Sequence, residues 1–156
     1  EVISEAGKGS QFYFSVEFPL ISETGEAIEQ ITDQEPDLKN KKILLVEDTP
    51  FNVLFATQLL EGWNAQVDVA DNGAIAVDMV KQNHYDLILM DLQMPVMDGY
   101  TASKKIREIN QQLPIIALTA SATSNVKGKV LEAGMQDYVT KPFNPTDFFL
   151  RLKKYL

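Results

Sequence analysis

Glu47 and Asp48 stand side by side after the apolar run Ile43-Leu44-Leu45-Val46, and Asp91 follows a second such run, Leu87-Ile88-Leu89-Met90. Thr119 ends a third, Ile115-Ile116-Ala117-Leu118, and Lys141 comes just after Asp137-Tyr138-Val139-Thr140. Carboxylates gathered at one place repel and raise one another's pKa unless a cation intervenes. A hard divalent ion is the natural partner. Mg²⁺ suits best, because it takes few carboxylates, keeps waters and joins them to phosphate oxygens. Lys141 adds a fixed positive charge and Thr119 a hydroxyl donor. Such a set suits phosphoryl transfer to a carboxylate, with metal and lysine neutralising the equatorial oxygens while Asp91 attacks in line.

These residues form one site only if the chain lays its apolar runs side by side. Each run is short and continuously apolar, as a strand buried on both faces should be. Pro50 can occupy the first turn of a helix through about Glu61, with Val53, Leu54, Leu59 and Leu60 mostly inward. Val67–Ala70 reads as a second strand, and Asn72-Gly73 opens a helix carrying Ile75, Ala76, Met79 and Val80. After the strand ending at Met90, a Pro95/Gly99 loop leads to a helix over Tyr100–Ile109. Pro114 starts the fourth strand, a helix over about Ser124–Ala133 ends at Gly134, and Asp137–Thr140 is the fifth strand. Asn144 caps a last helix to about Tyr155. Five strands alternating with five helices over residues 41–156 predict a doubly wound α/β fold, a parallel sheet with helices on both faces. Ligands of such sheets bind beyond the carboxyl ends of the strands. Glu47, Asp48, Asp91, Thr119 and Lys141 all fall there. A Lys-Pro pair at a strand end, Lys141-Pro142, points to a cis peptide bond.

The composition narrows the chemistry further. The 156 residues include no cysteine, so disulfides, thiolate metal sites and cysteine nucleophiles are excluded. The only histidine, His84, lies in a loop before a strand and is given no catalytic role. No apolar run reaches about 18 residues, so no membrane span is expected. Nor does a basic stretch lead into an apolar core, so no secretory signal is read and a cytoplasmic location is expected. The first residue is Glu1 rather than Met, which points to an excised fragment. The net charge of −8 is unevenly spread: nine acids and only Lys8 fall within residues 1–38, leaving thirteen of each sign in residues 39–156. The body has no positive field to steer nucleic acid, so direct nucleic-acid binding is not expected.

The leader differs in kind. Phe12, Phe14, Val16 and Phe18 alternate with Tyr13, Ser15 and Glu17, a strand pattern, and Gly7-Lys8-Gly9 with Val2-Ile3 before it predicts a hairpin. A lone hairpin is marginal in water, so residues 1–20 should pack on another copy or another surface, or else fray. Residues 21–38 hold six acids and no base, the composition of a solvated linker; the linker is bounded at 21–40.

Taken together, residues 41–156 resemble the CheY-like receiver domain of two-component response regulators. The resemblance rests on Leu45-Val46-Glu47-Asp48-Thr49-Pro50-Phe51-Asn52, Met90-Asp91-Leu92-Gln93-Met94-Pro95-Val96-Met97-Asp98-Gly99-Tyr100, Ala117-Leu118-Thr119-Ala120 and Asp137-Tyr138-Val139-Thr140-Lys141-Pro142-Phe143. It implies a flavodoxin-like strand order of 2-1-3-4-5, with Asp91 accepting a phosphoryl group from phosphohistidine. Mg²⁺, or Mn²⁺ in its place, would be held by Glu47, Asp48, Asp91 and the Gln93 backbone carbonyl. Lys141, Thr119 and the Ala120 N–H would bind the phosphoryl oxygens, and Thr119 and Tyr138 would form a switch. Residues 7–12, Gly-Lys-Gly-Ser-Gln-Phe, followed by Pro19-Leu20, resemble the C-terminal end of a histidine-kinase ATP-binding domain. The two resemblances imply a hybrid sensor histidine kinase, cut inside its catalytic domain. The fragment itself would not be a kinase, and any membrane anchor would belong to the parent chain. The implied partners are the phosphohistidine of a histidine kinase and a histidine phosphotransfer domain.

Other classes compete for the same pattern. A flavodoxin-like flavin binder needs N–H and hydroxyl donors after the first strand, where this chain has Glu47-Asp48. A haloacid-dehalogenase-type phosphatase resembles Asp-x-Asp, but the second position here is Gln93, which cannot serve as the acid. A stand-alone or non-phosphorylated pseudo-receiver used only for docking is the remaining alternative, and the intact acid, hydroxyl and lysine set argues against it. Asp98-Gly99 is read as a turn and Trp63 as packing.

Overall fold

The computed structural model describes residues 2–5, 9–12, 36–121 and 123–156. The chain forms two compact units that divide after residue 33. In the first, strands β1 (Val2–Glu5) and β2 (Gly9–Phe12) pair antiparallel, with Val2 opposite Phe12 and Glu5 opposite Gly9. Gly9 has φ +95°, a conformation that costs a glycine little, where the chain re-enters the ladder. The expected hairpin is therefore present. Phe14, Val16, Phe18 and linker residues 21–35 lie outside the described residues.

The second unit runs β3 (Lys42–Val46), α1 (Pro50–Gly62), β4 (Gln66–Ala70), α2 (Gly73–Gln82), β5 (Leu87–Asp91), α3 (Gly99–Ile109), β6 (Ile115–Thr119), α4 (Ser124–Glu132), β7 (Asp137–Thr140) and α5 (Pro145–Lys153). Its five strands are parallel, in the order β4-β3-β5-β6-β7. Numbered within this unit, that is 2-1-3-4-5. The continuous apolar runs have a simple cause: alternate residues of each central strand serve opposite faces. Leu44, Val46, Ile88, Met90, Ile115 and Ala117 pack with Ala76 and Val80 of α2, Ala102 and Ile106 of α3 and Val130 of α4. Ile43, Leu45, Leu87, Leu89, Ile116 and Leu118 pack with Ala56 and Leu60 of α1 and Phe148 and Leu152 of α5. Trp63 fills this second core, its ring 5.2 Å from Phe149 and 5.8 Å from Phe148.

Three helices of this unit are capped by a polar side chain, whereas Thr49 and Thr123, at the starts of α1 and α4, make no such bond. Asn72 accepts from the Ala74 and Ile75 N–H groups, Asp98 from Thr101 N–H and Asn144 from Asp147 N–H. Two expectations need correction. Leu54 is 57% exposed rather than inward. The buried face of α1 is set by Ala56 and Leu60, and a residue two positions before Ala56 lies about 200° around the helix. The last helix ends at Lys153 instead of near Tyr155, because Tyr155 N–H bonds to the nearer Leu152 carbonyl and tightens the turn. Among the described residues no helix is long and apolar enough to cross a membrane.

Candidate functional site

Strand register brings the carboxylates together. Val46 of β3 lies opposite Met90 of β5, so Glu47 and Asp91 come level just beyond. One oxygen each from Glu47, Asp48 and Asp91 lies within 4.8 Å of the others. On the far side of β5, Asp91 pairs with Leu118, which sets Thr119 one residue further along β6. Thr119 in turn pairs with Thr140 of β7, and Lys141 N–H donates to the Thr119 carbonyl at 2.8 Å. The Lys141–Pro142 peptide is cis.

Lys141 Nζ reaches back across the sheet and donates to Glu47 Oε2 and to Asp91 Oδ2, each at 2.8 Å. Asp48, Asp91, Gln93, Thr119, Ala120 and Lys141 line one cleft of about 320 Å³ at the carboxyl edge. Glu47 lies beneath it, only 1% exposed. Its Oε1 accepts from Thr49 N–H at 3.2 Å and from Asn52 Nδ2 at 3.0 Å. Asn52 was not singled out from sequence; the available signal was an amide in the first turn of the helix that follows the acids. Asp91 Oδ1 accepts from Gln93 N–H at 3.2 Å. The Thr119 hydroxyl is engaged in its own turn, donating to the Ser121 carbonyl at 2.9 Å and accepting from Ser121 N–H at 3.2 Å.

Tyr138 stands apart from the cleft, on β7. Lys127 Nζ of α4 lies 5.3 Å from its ring centroid and Arg151 Cζ of α5 lies 5.7 Å from it, both within cation–π range. His84 is exposed and takes no part in the cluster.

The two deepest acids are pushed in opposite directions. Burial raises the Asp91 pKa, and the nearby Glu47 charge adds to it, outweighing the lowering by Lys141 and Gln93 N–H. Burial also acts on Glu47, but the donors Lys141, Asn52 and Thr49 N–H together hold its pKa below the ordinary carboxylate value. Burial opposes the charge on Lys141, yet Asp91 and Glu47 together raise its pKa. The site therefore favours an anionic Glu47 and a cationic Lys141, with Asp91 the acid least favoured as an anion. The donor set is all oxygen, with Asp48 and Asp91 facing an open cleft. That chemistry fits a hard divalent ion with part of its water shell retained.

A doubly wound sheet in this order, with an acid cleft and a cross-strand lysine at its carboxyl edge, defines a CheY-like flavodoxin fold. The chain belongs to the family of response regulator receiver domains, whose sequence profile matches residues 43–153. It is 36% identical over 157 residues to the aerobic respiration control sensor protein ArcB of Escherichia coli strain K12, covering 99% of this chain and 20% of that one. Among the first curated relatives the chain spans only 5% to 20% of their length. The receiver domain of the sensor histidine kinase PA1611 from Pseudomonas aeruginosa PAO1 was solved with a magnesium ion coordinated in its active site cleft. It superposes with a TM-score of 0.70 at 38% identity, over 74% of this chain and 96% of that one. The receiver domain of Saccharomyces cerevisiae Ssk1, solved with the histidine phosphotransfer protein Ypd1, gives a TM-score of 0.70 at 32% identity, over 77% and 89% of the two chains. Residues 43–153 are thus a two-component signalling receiver, related to the receivers of hybrid histidine kinases and not itself a catalytic domain of that kind.

Proposed function

We propose that this domain accepts a phosphoryl group from phosphohistidine on Asp91 and passes it to a histidine phosphotransfer domain. The observation that carries the reading is Lys141 Nζ at 2.8 Å from both Glu47 and Asp91, beside the exposed carboxylate of Asp48. An Asp91 oxygen attacks phosphorus, a P–O bond forms, and the P–N bond to the donor imidazole breaks with its electron pair returning to nitrogen. Lys141 follows the charge as it moves from the Asp91 carboxylate to the phosphoryl oxygens, while Glu47 keeps the ammonium in the site. The Thr119 hydroxyl and the Ala120 N–H supply further donors to those oxygens. Glu47, Asp48, Asp91 and the Gln93 carbonyl would hold Mg²⁺, or Mn²⁺ in its place. Bound there, the ion would supply positive charge against the repulsion between acceptor and incoming phosphoryl group. The phosphotransfer partner is supported by the Ssk1 likeness.

The likeness to ArcB covers 99% of this chain and so takes in nearly all of the segment before the receiver. That supports reading residues 1–20 as the end of a kinase ATP-binding domain, residues 21–40 as a linker and residues 41–156 as the receiver of a hybrid kinase. Such a receiver works in the cytoplasm.

Acetyl phosphate with Mg²⁺ tests the reading directly. Intact-mass analysis should show one hydroxylamine-labile phosphoryl group, absent without the metal and absent from Asp91→Asn. Failure of the parent domain to label, or equal labelling of Asp91→Asn, overturns it and favours a docking pseudo-receiver.

A further inference from the structure

Glu47 is held by more donors than an acid needs merely to end a strand. It is 1% exposed, and both of its oxygens are occupied: Oε2 by Lys141, Oε1 by Thr49 N–H and Asn52 Nδ2. The Thr49 bond is local and comes from a backbone group that any residue there would provide. Asn52 is different, because it projects from the first turn of α1 and is the one side-chain amide on this carboxylate. A chain of contacts results, from Asn52 to Glu47 at 3.0 Å, from Glu47 to Lys141 at 2.8 Å and from Lys141 to Asp91 at 2.8 Å.

We infer that Asn52 is a positioning residue of the acceptor site, setting the orientation of the Glu47 carboxylate and through it the place of Lys141. This rests on the phosphoacceptor reading above and goes beyond it by naming a residue that touches neither donor nor acceptor. A glutamate head turns about three side-chain torsions, one more than an aspartate, so a longer acid at this place needs an added restraint. The Asn52 amide provides it by fixing Oε1, which leaves Oε2 aimed at Lys141. When Lys141 shifts toward an incoming phosphoryl group, it loses its bond to Asp91 but keeps Glu47 as anchor. The anchor serves only while its own orientation holds. A buried carboxylate robbed of a donor re-aims at whatever donor remains, here Lys141 or Thr49 N–H, and the spacing of the acid cluster changes with it.

The test is a double-mutant cycle between residues 47 and 52, read in two ways. Calorimetric titration with Mg²⁺ alone gives metal affinity, and acetyl phosphate gives the labelling rate, with melting midpoints followed in parallel. Asn52→Ala should weaken Mg²⁺ binding about fivefold and slow labelling by a similar factor. Asn52→Leu, similar in size but unable to donate and adding no charge, should lose as much. In a Glu47→Ala background, where no acceptor remains for Asn52, the further change Asn52→Ala should alter Mg²⁺ affinity less than twofold. If Asn52→Ala lowers the melting midpoint so far that it is unfolded, Asn52→Leu alone decides. Parent-like Mg²⁺ affinity and labelling in a folded Asn52 variant overturn the inference, as does an equal loss in the Glu47→Ala background. Failure of the parent itself to label overturns instead the phosphoacceptor reading.

Discussion

The first residue of α3, Gly99, lies directly against the backbone of Asp91, the proposed acceptor. A Cβ built at Gly99 would overlap the Asp91 carbonyl oxygen and come 3.0 Å from Met90 Cγ. The β5–α3 connection closes beside the acid cleft because residue 99 has no side chain, and Gly99 N–H then donates to the Leu92 carbonyl at 3.3 Å. Asp98, one residue earlier, caps the helix that follows. The Asp98-Gly99 turn is assigned no chemistry of its own, yet it packs against the end of β5.

Gly99→Ala should therefore destabilise the domain by about 1–3 kcal/mol, the usual cost of forcing a group into filled space. Gly128, inside α4 with nothing within 4 Å of its Cβ position, is the natural control. Gly128→Ala should stabilise by about 0.5–1 kcal/mol through helix propensity. Urea unfolding of both variants checks the pair, and a Gly99→Ala as stable as the parent would remove the steric argument.

Asp91 makes a second prediction, on stability and pH. Its pKa is raised in the folded state, chiefly by burial and then by the Glu47 charge. Between the ordinary aspartate value and that raised value the folded protein binds more protons than the unfolded one. Stability therefore falls as pH rises through this window, and the penalty is fully present above it. Asp91→Asn removes it while leaving Lys141 its bond to Glu47. The variant should be more stable at pH 7 by on the order of 1 kcal/mol, about 4 °C in melting midpoint for a domain of this size. The gain should shrink toward pH 4. A gain that is the same at both pH values would show that the charge is not its cause.

Asp48 tests the metal assignment without disturbing the core. It is exposed, and among the described residues its side chain accepts one hydrogen bond, a 3.5 Å contact from the Thr49 hydroxyl. Asp48→Ala should keep the melting midpoint within about 2 °C of the parent, as surface changes do. It should also weaken Mg²⁺ binding more than tenfold and abolish Mg²⁺-dependent labelling of Asp91. Undiminished labelling in Mg²⁺ would sink the assignment.

Thr119 and Tyr138 carry the last prediction. In this structure the Thr119 hydroxyl is bound to Ser121, and the Tyr138 ring is flanked by Lys127 and Arg151. A phosphoryl group on Asp91 would offer Thr119 a charge-assisted hydrogen bond, stronger than the neutral one to Ser121. In the proposed switch the hydroxyl moves into the cleft and Tyr138 turns into the space left beside the small Ala120, away from Lys127 and Arg151. Thr119→Ala should still accept a phosphoryl group but transmit the change poorly. With beryllofluoride as mimic, the parent should show amide shifts around Tyr138 and residues 124–133, and Thr119→Ala should show few. Identical shifts in both proteins would break the proposed link.

How much of this was legible in the sequence follows from the range over which each feature acts. The continuous apolar runs declared strands buried on both faces, because a period-two backbone serves two cores at once. The caps at Asn72, Asp98 and Asn144 were readable for a similar reason, since donor and acceptor lie within three residues of each other. The acids, threonine and lysine could be placed at one edge because all follow strands, and a parallel sheet aligns its carboxyl ends. Tertiary structure decided the rest. Which side of α1 turns inward was hidden by apolar residues all round that helix, and Leu54 ended in solvent. That Glu47 lies under the cleft, not in its lining, depends on Asn52 and on a lysine 94 residues away. The Thr119 hydroxyl rests on Ser121 because local turn geometry offers it a carbonyl and an N–H two residues away. Residue type says what a side chain can bind, but register and packing decide which partner is within three ångströms, and at that distance the chemistry is chosen.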